Sequence, residues 1–523
     1  MRKVVLIIRD GWGLSQDTRY NAIANANTPN TDRLLATCPH GILEASGEAV
    51  GLPAGYQGSS EVGHLNMGAG RIVEQELKRI NDAIADGSLF KTACFRRAIR
   101  AAASGRALHV MGLVQDEGVH AHQDHLFAIM KEAAAAGVKQ LYIHFFGDGR
   151  DTPPQSALQF LGDVRAKIKE YGLGTIGTVM GRYYSMDRAR YYNLTRQAYE
   201  AINFCRGERA ATAEEAITRA YGTLKAPDGT GMTDEYLPPA IIGDYPGVQE
   251  GDAVIHFNYR QDRAIQLTQM FVDATCPERD GPPRSLVYCG LTRYYDEFKN
   301  NLLEPLDESL PNVLGKVIQD AGLRQLRIAE TQKFRHVTSF FNGKLIEPFE
   351  GEERTEIKSR YDPASFGEHP EMNAYDVSAE VCRQLARDVF AFTAVNFANG
   401  DMVGHTGNYE ATMRAVEVVD DCVGQVVKCA AGRGCVVMIT ADHGNAEEMW
   451  DFRRNSPKTA HTTNPVQFIY LDKADPGAAV RARGILSDIA PTVLEALGLA
   501  RPAEMTCRSL LAGGQGGYGK NIF

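Results

Sequence analysis

CVVMITADHGN (435–445) decides the fold. From Cys435 to Thr440 the run has no polar face, the pattern of a strand buried on both sides of a parallel sheet. It then stops at Asp442, His443 and Gly444. Open α/β sheets bind ligands at the carboxyl ends of their strands, so a polar turn there is a candidate site edge. The same design recurs along the chain. VVLII (4–8) runs into Arg9, Asp10 and Gly11, and QLYIHFF (140–146) into Gly147, Asp148, Gly149, Arg150 and Asp151. AVIHFNY (253–259) ends at Arg260, and FTAVNFA (392–398) leads to Asp401. Gly11, Gly149 and Gly444 are expected to turn the backbone at these ends.

Further strands are predicted at ALHVMGLV (107–114), TIGTVM (175–180) and SLVYCG (285–290). Helical spacing marks HLFAIMKEAAAAG (125–137), which stops at Gly137, and TMRAVEVVDDCVGQVVKCAAG (412–432). Strand and helix alternating throughout predict an α/β protein with largely parallel sheets. The 523 residues suggest two to four domains at about 100–200 residues each. No repeat of fixed period is present, and the Gly-rich GGQGGYG (513–519) reads as a flexible tail.

Composition narrows the function. Lys and Arg number 56 against 65 Asp and Glu, a net charge of −9, so a basic nucleic-acid surface is not expected. No apolar run approaches the ~18–20 residues of a membrane span. The N-terminal apolar run ends at Arg9, too short for a signal-peptide core. The 10 cysteines form no CxxC pair. They read as small, mostly buried apolar side chains in a reducing cytoplasm, without a disulfide scaffold or a Cys-type zinc site.

Asp401 and His405 in DMVGH stand four residues apart and share a face if helical. Asp442 and His443 follow a strand, His461 lies in the polar TAHTTNP, and Asp10 follows the first strand. Carboxylates mixed with imidazoles suit Zn²⁺ or Mn²⁺ better than Ca²⁺ or Mg²⁺, which prefer oxygen shells. In GSSEVGHLNMGAGR (58–71), a serine before a predicted helix reads as a cap, a nucleophile or a phosphate-cradling turn. Local sequence alone favours the cap. Arg150, Arg182, Arg188, Arg260, Arg263 and Lys333 gather at polar turns. They offer forks and charges for a small anion, or ion pairs with Asp151, Asp187 and Asp262.

The chain resembles the cofactor-independent phosphoglycerate mutases of the alkaline-phosphatase-like metalloenzyme superfamily. The resemblance rests on IIRDGWG (7–13), GEAVGLPAGYQGSSEVGHLNMGAGR (47–71), GVHAH (118–122), GDGRDTPPQ (147–155) and GRYYSMDR (181–188). It continues in FNYRQDRAIQ (257–266), GLRQLRIAETQKFRHVT (322–338), DMVGHTG (401–407), TADHGNAEE (440–448) and AHTTNPV (460–466). Four positions depart from the common pattern: Arg9, Ser59, Gln261 and Cys507, of which Ser59 adjoins the matching serine.

The resemblance implies an alkaline-phosphatase-like α/β/α core domain, residues 1–74 and 309–523, with an inserted α/β phosphotransferase domain, residues 75–308. It implies a cytoplasmic monomer interconverting 3-phosphoglycerate and 2-phosphoglycerate in glycolysis and gluconeogenesis, without 2,3-bisphosphoglycerate. Two divalent cations are implied, Mn²⁺ before Zn²⁺, Co²⁺ or Mg²⁺. One takes Asp401, His405 and His461, and the other Asp10, Ser60, Asp442 and His443. Ser60 matches the serine that is phosphorylated. His120, Arg150, Asp151, Arg182, Arg188, Arg260, Arg263 and Lys333 match substrate-contacting positions. Asp151 is the expected acid/base and Lys333 the charge-neutralising catalytic lysine. Closure of one domain over the other is expected to keep water from the phosphoserine.

Overall fold

A computed structural model describes residues 2–227, 229–276, 278–304, 310–452 and 455–512. The border expected at 309 and the tail at 513–519 lie outside the described residues. The chain divides into two units, Met1–Gln75 with Asp307–Phe523, and Glu76–Leu306.

The first unit is built on an eight-stranded sheet. Its order is Glu352–Ile357, Gln325–Glu330, Phe392–Phe397, Val4–Arg9, Val436–Thr440, Val466–Leu471, His40–Glu44 and Arg483–Ile485. The first five strands pair in parallel, and Val466–Leu471 runs antiparallel to both neighbours. Val4–Arg9, Phe392–Phe397 and Val436–Thr440 are buried at every position, as strands covered on both faces must be. The 23-residue helix Tyr409–Ala431 starts where the Asn408 side chain accepts from the Ala411 amide. It lays its valines on the sheet.

This order sets the site. Gln325–Glu330, Phe392–Phe397, Val4–Arg9 and Val436–Thr440 are adjacent and parallel, so their carboxyl ends share one edge. Lys333, Asp401, Asp10 and Asp442 follow those ends. The antiparallel strand Val466–Leu471 begins at the same edge, with His461 just before it.

The second unit carries its own eight-stranded sheet. Its order is Asn301–Leu303, Val287–Thr292, Ala253–His256, Leu108–Leu113, Leu141–Gly147, Thr175–Gly181, Ala240–Ile242 and Glu208–Ala210. Only the pairing of Thr175–Gly181 with Ala240–Ile242 is antiparallel.

Two expectations need correction. Cys94 and Cys289 form a disulfide, because helix Ala93–Ala103 packs on strand Val287–Thr292 and brings their Cα atoms to 6.3 Å. The other described cysteines are free, and of these only Cys38, Cys422 and Cys435 are buried. Gly444 is a glycine for space and not for backbone turning. A Cβ there would sit 2.3 Å from Glu447 Oε1 and Thr462 Oγ1, and its φ is not left-handed. Gly11 and Gly149 do have left-handed φ, +73° and +64°.

Buried histidines make the second unit acid-sensitive. Burial pushes His256 down to about 3, and burial with the nearby His122 does the same to His125. Both stay unprotonated in the folded state, while the unfolded chain takes up protons near pH 6.5. Their stability contribution is therefore complete above pH 6.5 and is lost as pH falls toward 3. Each costs about 1.4 kcal/mol per pH unit across that window. Thermal melts should show the transition temperature dropping steadily from pH 6.5 to 4. A flat profile would show that these rings titrate freely.

Candidate active site

Helix Ser60–Ala69 brings the serine to the sheet edge. Ser59, not Ser60, is its N-cap, accepting from the Val62 amide at 3.4 Å. The capping role belongs to the first serine and leaves the Ser60 hydroxyl free for the cluster. The helix packs tightly on the strand-end loop, since a Cβ at Gly63 would lie 2.6 Å from the Asp442 carbonyl oxygen.

Ser60 Oγ is buried and lies 3.1 Å from Asp10 Oδ1 and 2.9 Å from His443 Nε2. Lys333 Nζ donates to Ser60 Oγ at 2.7 Å, to Asp10 Oδ1 at 2.7 Å and to Asp401 Oδ2 at 2.6 Å. Burial alone would discharge this ammonium, but Asp10, Asp401 and Asp442 raise its pKa above the ordinary value. Burial would likewise raise the Asp10 and Asp401 carboxyls, and Lys333 holds both well below the usual range.

Asp401 Oδ1 faces His405 Nε2 at 3.2 Å and His461 Nε2 at 3.2 Å. The two Nε2 atoms are 3.1 Å apart. Their outer nitrogens are taken: His405 Nδ1 bonds the Thr459 carbonyl at 2.7 Å and His461 Nδ1 the Gly58 carbonyl at 2.9 Å. Two inward lone pairs beside one carboxylate require a positive charge between them, a proton or a cation. His443 is similar. Burial would lower it, yet Asp442 and Asp10 push it up to about 10, so a proton and a cation compete for its Nε2. Asp442 Oδ2 is buried and accepts no hydrogen bond among the described residues. Asp401, His443 and His461 form one group of closely placed donors, and Asp10, His64 and Asp442 a second. This nitrogen and oxygen donor set fits a divalent metal ion.

The second unit gathers the arginines at its own strand ends. Arg182 Nη1 donates to Asp148 Oδ1 at 2.5 Å and to Asp151 Oδ2 at 2.6 Å. Arg188 pairs with Asp262 at 2.5 Å, Arg260 with Asp262 at 3.4 Å, and the half-exposed Arg150 with Glu235 at 3.3 Å. Arg263 donates to the Met186 carbonyl at 3.1 Å. Burial together with Arg182, Arg188 and Arg150 lowers its pKa. His120 is buried beside Asp262 at 3.7 Å and is pushed down to about 3 by burial, Arg182 and Arg260. Arg182 Nε, Arg263 Nε and His120 Nδ1 are buried without a hydrogen-bond partner among the described residues. Donors left open this way suit an anion that supplies the missing acceptors.

Sequence reading overlooked four polar residues here. Asn396 Nδ2 donates to Asp10 Oδ2 at 2.7 Å, and His64 sits beside it. Asn445 Nδ2 donates to Asp401 Oδ1 at 3.0 Å. Glu447 accepts from the amides of Gly13 at 3.1 Å and Asn445 at 2.8 Å and from Asn464 Nδ2 at 3.0 Å, clasping three site loops. Asn396 carried a signal, a lone amide inside a strand buried at every position.

A family model for the metalloenzyme superfamily matches residues 2–501. The 2,3-bisphosphoglycerate-independent phosphoglycerate mutase of Moorella thermoacetica is 48% identical over 520 residues, covering 98% of this chain and 99% of that one. The mutase of the same name from Pseudomonas entomophila is 45% identical over 513 residues, covering 98% of each. A crystal structure of Leishmania mexicana phosphoglycerate mutase at low cobalt concentration superposes with a TM-score of 0.74 at 30% identity, covering 98% of both chains. Identity sustained over both units, with a matching fold, leaves one conclusion. The chain belongs to the 2,3-bisphosphoglycerate-independent phosphoglycerate mutases, isomerases of the metalloenzyme superfamily.

Proposed function

We propose that this chain interconverts 3-phosphoglycerate and 2-phosphoglycerate through a phosphoserine at Ser60. The observation that carries this reading is the buried contact of Ser60 Oγ with Lys333 Nζ and His443 Nε2, inside a donor set that demands positive charge. One divalent ion would be held by Asp401, His405 and His461, and the other by Asp10, Ser60, Asp442 and His443, with Mn²⁺ the proposed metal. When bound, these ions lower the pKa of the serine hydroxyl and offset charge on the phosphoryl group.

The nucleophile is Ser60 as its alkoxide, the hydroxyl proton having passed to solvent and the charge being offset by Lys333, and Oγ forms a bond to phosphorus as the bond from phosphorus to the substrate O3 breaks. Asp151 delivers the proton that the leaving oxygen needs, with His120 assisting. In the second half, Asp151 takes the proton from the 2-hydroxyl as that oxygen attacks phosphorus and Ser60 leaves. Lys333 donates to Ser60 Oγ and offsets charge in both directions. Arg260 and Arg263 hold the phosphate, and Arg150, Arg182 and Arg188 hold the glycerate carboxylate while the glycerate re-orients. The open nitrogens of Arg182 and Arg263 support this assignment.

The test supplies 3-phosphoglycerate with no 2,3-bisphosphoglycerate and follows 2-phosphoglycerate by coupled assay. Product should form, vanish after EDTA and return with Mn²⁺. Release of inorganic phosphate in place of 2-phosphoglycerate would make the protein a phosphatase and overturn the reading.

A further inference from the structure

His64 and Asn396 are fully buried, and no step above uses them. Asn396 Nδ2 lies 2.7 Å from Asp10 Oδ2 and 3.1 Å from His64 Nε2. A carboxylate only accepts, so the atom facing Asp10 is the amide nitrogen, and its second hydrogen points at His64 Nε2. Nε2 therefore accepts, and the ring proton is on Nδ1. That nitrogen lies 2.8 Å from the Ser60 carbonyl oxygen and 3.3 Å from Asp442 Oδ2.

The contacts close into a ring that starts and ends on one residue. It runs from the Ser60 carbonyl through His64, Asn396 and Asp10 Oδ2, crosses the Asp10 carboxylate to Oδ1, and returns to Ser60 Oγ. Backbone and side chain of the serine are thus tied to opposite ends of the same chain of contacts. His64 lies among cation-type donors with Asp10 and Asp442. With one nitrogen donating and the other accepting, it has no lone pair left for an ion.

We propose that His64 and Asn396 are a positioning pair, not metal ligands, and that they fix the angle at which Ser60 Oγ meets Asp10. This rests on the reading of Ser60 as the nucleophile. Loss of such a support costs about 10–100-fold in activity. His64→Ala should lower kcat by that factor while KM for 3-phosphoglycerate stays within about twofold. His64→Asn, whose amide can donate from near the Nδ1 position, should recover most of the loss. Asn396→Ala should resemble His64→Ala, and the double variant should be no worse than the poorer single one, because the ring is already open.

A second measurement is independent of turnover. With ¹⁵N-histidine-labelled protein, the His64 signals, identified by their loss in His64→Asn, should show the Nδ1-protonated tautomer. They should show it both in EDTA and with Zn²⁺. A Zn²⁺-dependent change to a metal-bound nitrogen overturns the proposal, and so do additive losses in the double variant or unchanged kcat in both single variants. If the wild type makes no 2-phosphoglycerate, the functional reading fails, while the nitrogen spectra still decide whether His64 is a ligand.

Discussion

Ser60→Ala should remove interconversion, lowering kcat by roughly 10⁴-fold or more, as expected when a covalent nucleophile is lost. The protein should stay folded. The hydroxyl is small, and its removal leaves Lys333 still bonded to Asp10 and Asp401, so no buried charge loses its partner. Circular dichroism melts should coincide with the wild type within a few degrees. Phosphopeptide mass spectrometry after acid quenching should find a phosphorylated serine at position 60 in the wild type and none in the variant. Turnover retained in Ser60→Ala would sink the phosphoserine mechanism.

Lys333→Met should cost both rate and stability. The ammonium is the shared donor to Ser60 Oγ, Asp10 and Asp401. Without it Asp10 and Asp401 lose the ammonium they share and keep only the imidazoles beside them, and breaking a buried ion pair in this way costs about 3–5 kcal/mol. In EDTA the variant should melt well below the wild type. Added Mn²⁺ should narrow that gap, because cations supply the missing positive charge. Activity should stay roughly 10²–10³-fold down even with Mn²⁺, since among the described residues no other group donates to the serine from that position. Equal melting in EDTA together with normal turnover would remove Lys333 from the mechanism.

Most of the framework was legible in the sequence. Every apolar run read as a strand pairs in one of the two sheets, because strands covered on both faces are built mainly from apolar residues. Gln325–Glu330 was missed for the same reason. Arg327 interrupts its apolar pattern, although the side chain is fully buried, bonded to Gln325 Oε1 at 2.7 Å and packed between Phe341 and Phe392. Arg9, uncommon at its position, is likewise buried, on Trp12 and against Thr31 and Gln467. Asp10, Asp401, Asp442 and His443 were visible as strand-end turns, whereas Ser60 stood out as a nucleophile only through the family resemblance. Those that hold them were visible in neither way, because Asn396 and His64 sit inside regular elements, where pattern reading assigns packing and not chemistry.

The discontinuity of the first unit also sets an order of assembly during synthesis. Val4 pairs with Phe392 and Val436, so the first strand emerges long before its neighbours exist. At 5–20 residues per second that wait lasts roughly 20–90 s. Glu76–Leu306 is continuous in sequence and is complete well before then. The N-terminal strand spends the interval as an apolar segment without partners, open to chaperones and to misplaced pairing. Ribosome-bound chains truncated near residue 360 should therefore protect the second sheet from proteolysis while leaving residues 4–9 cleavable.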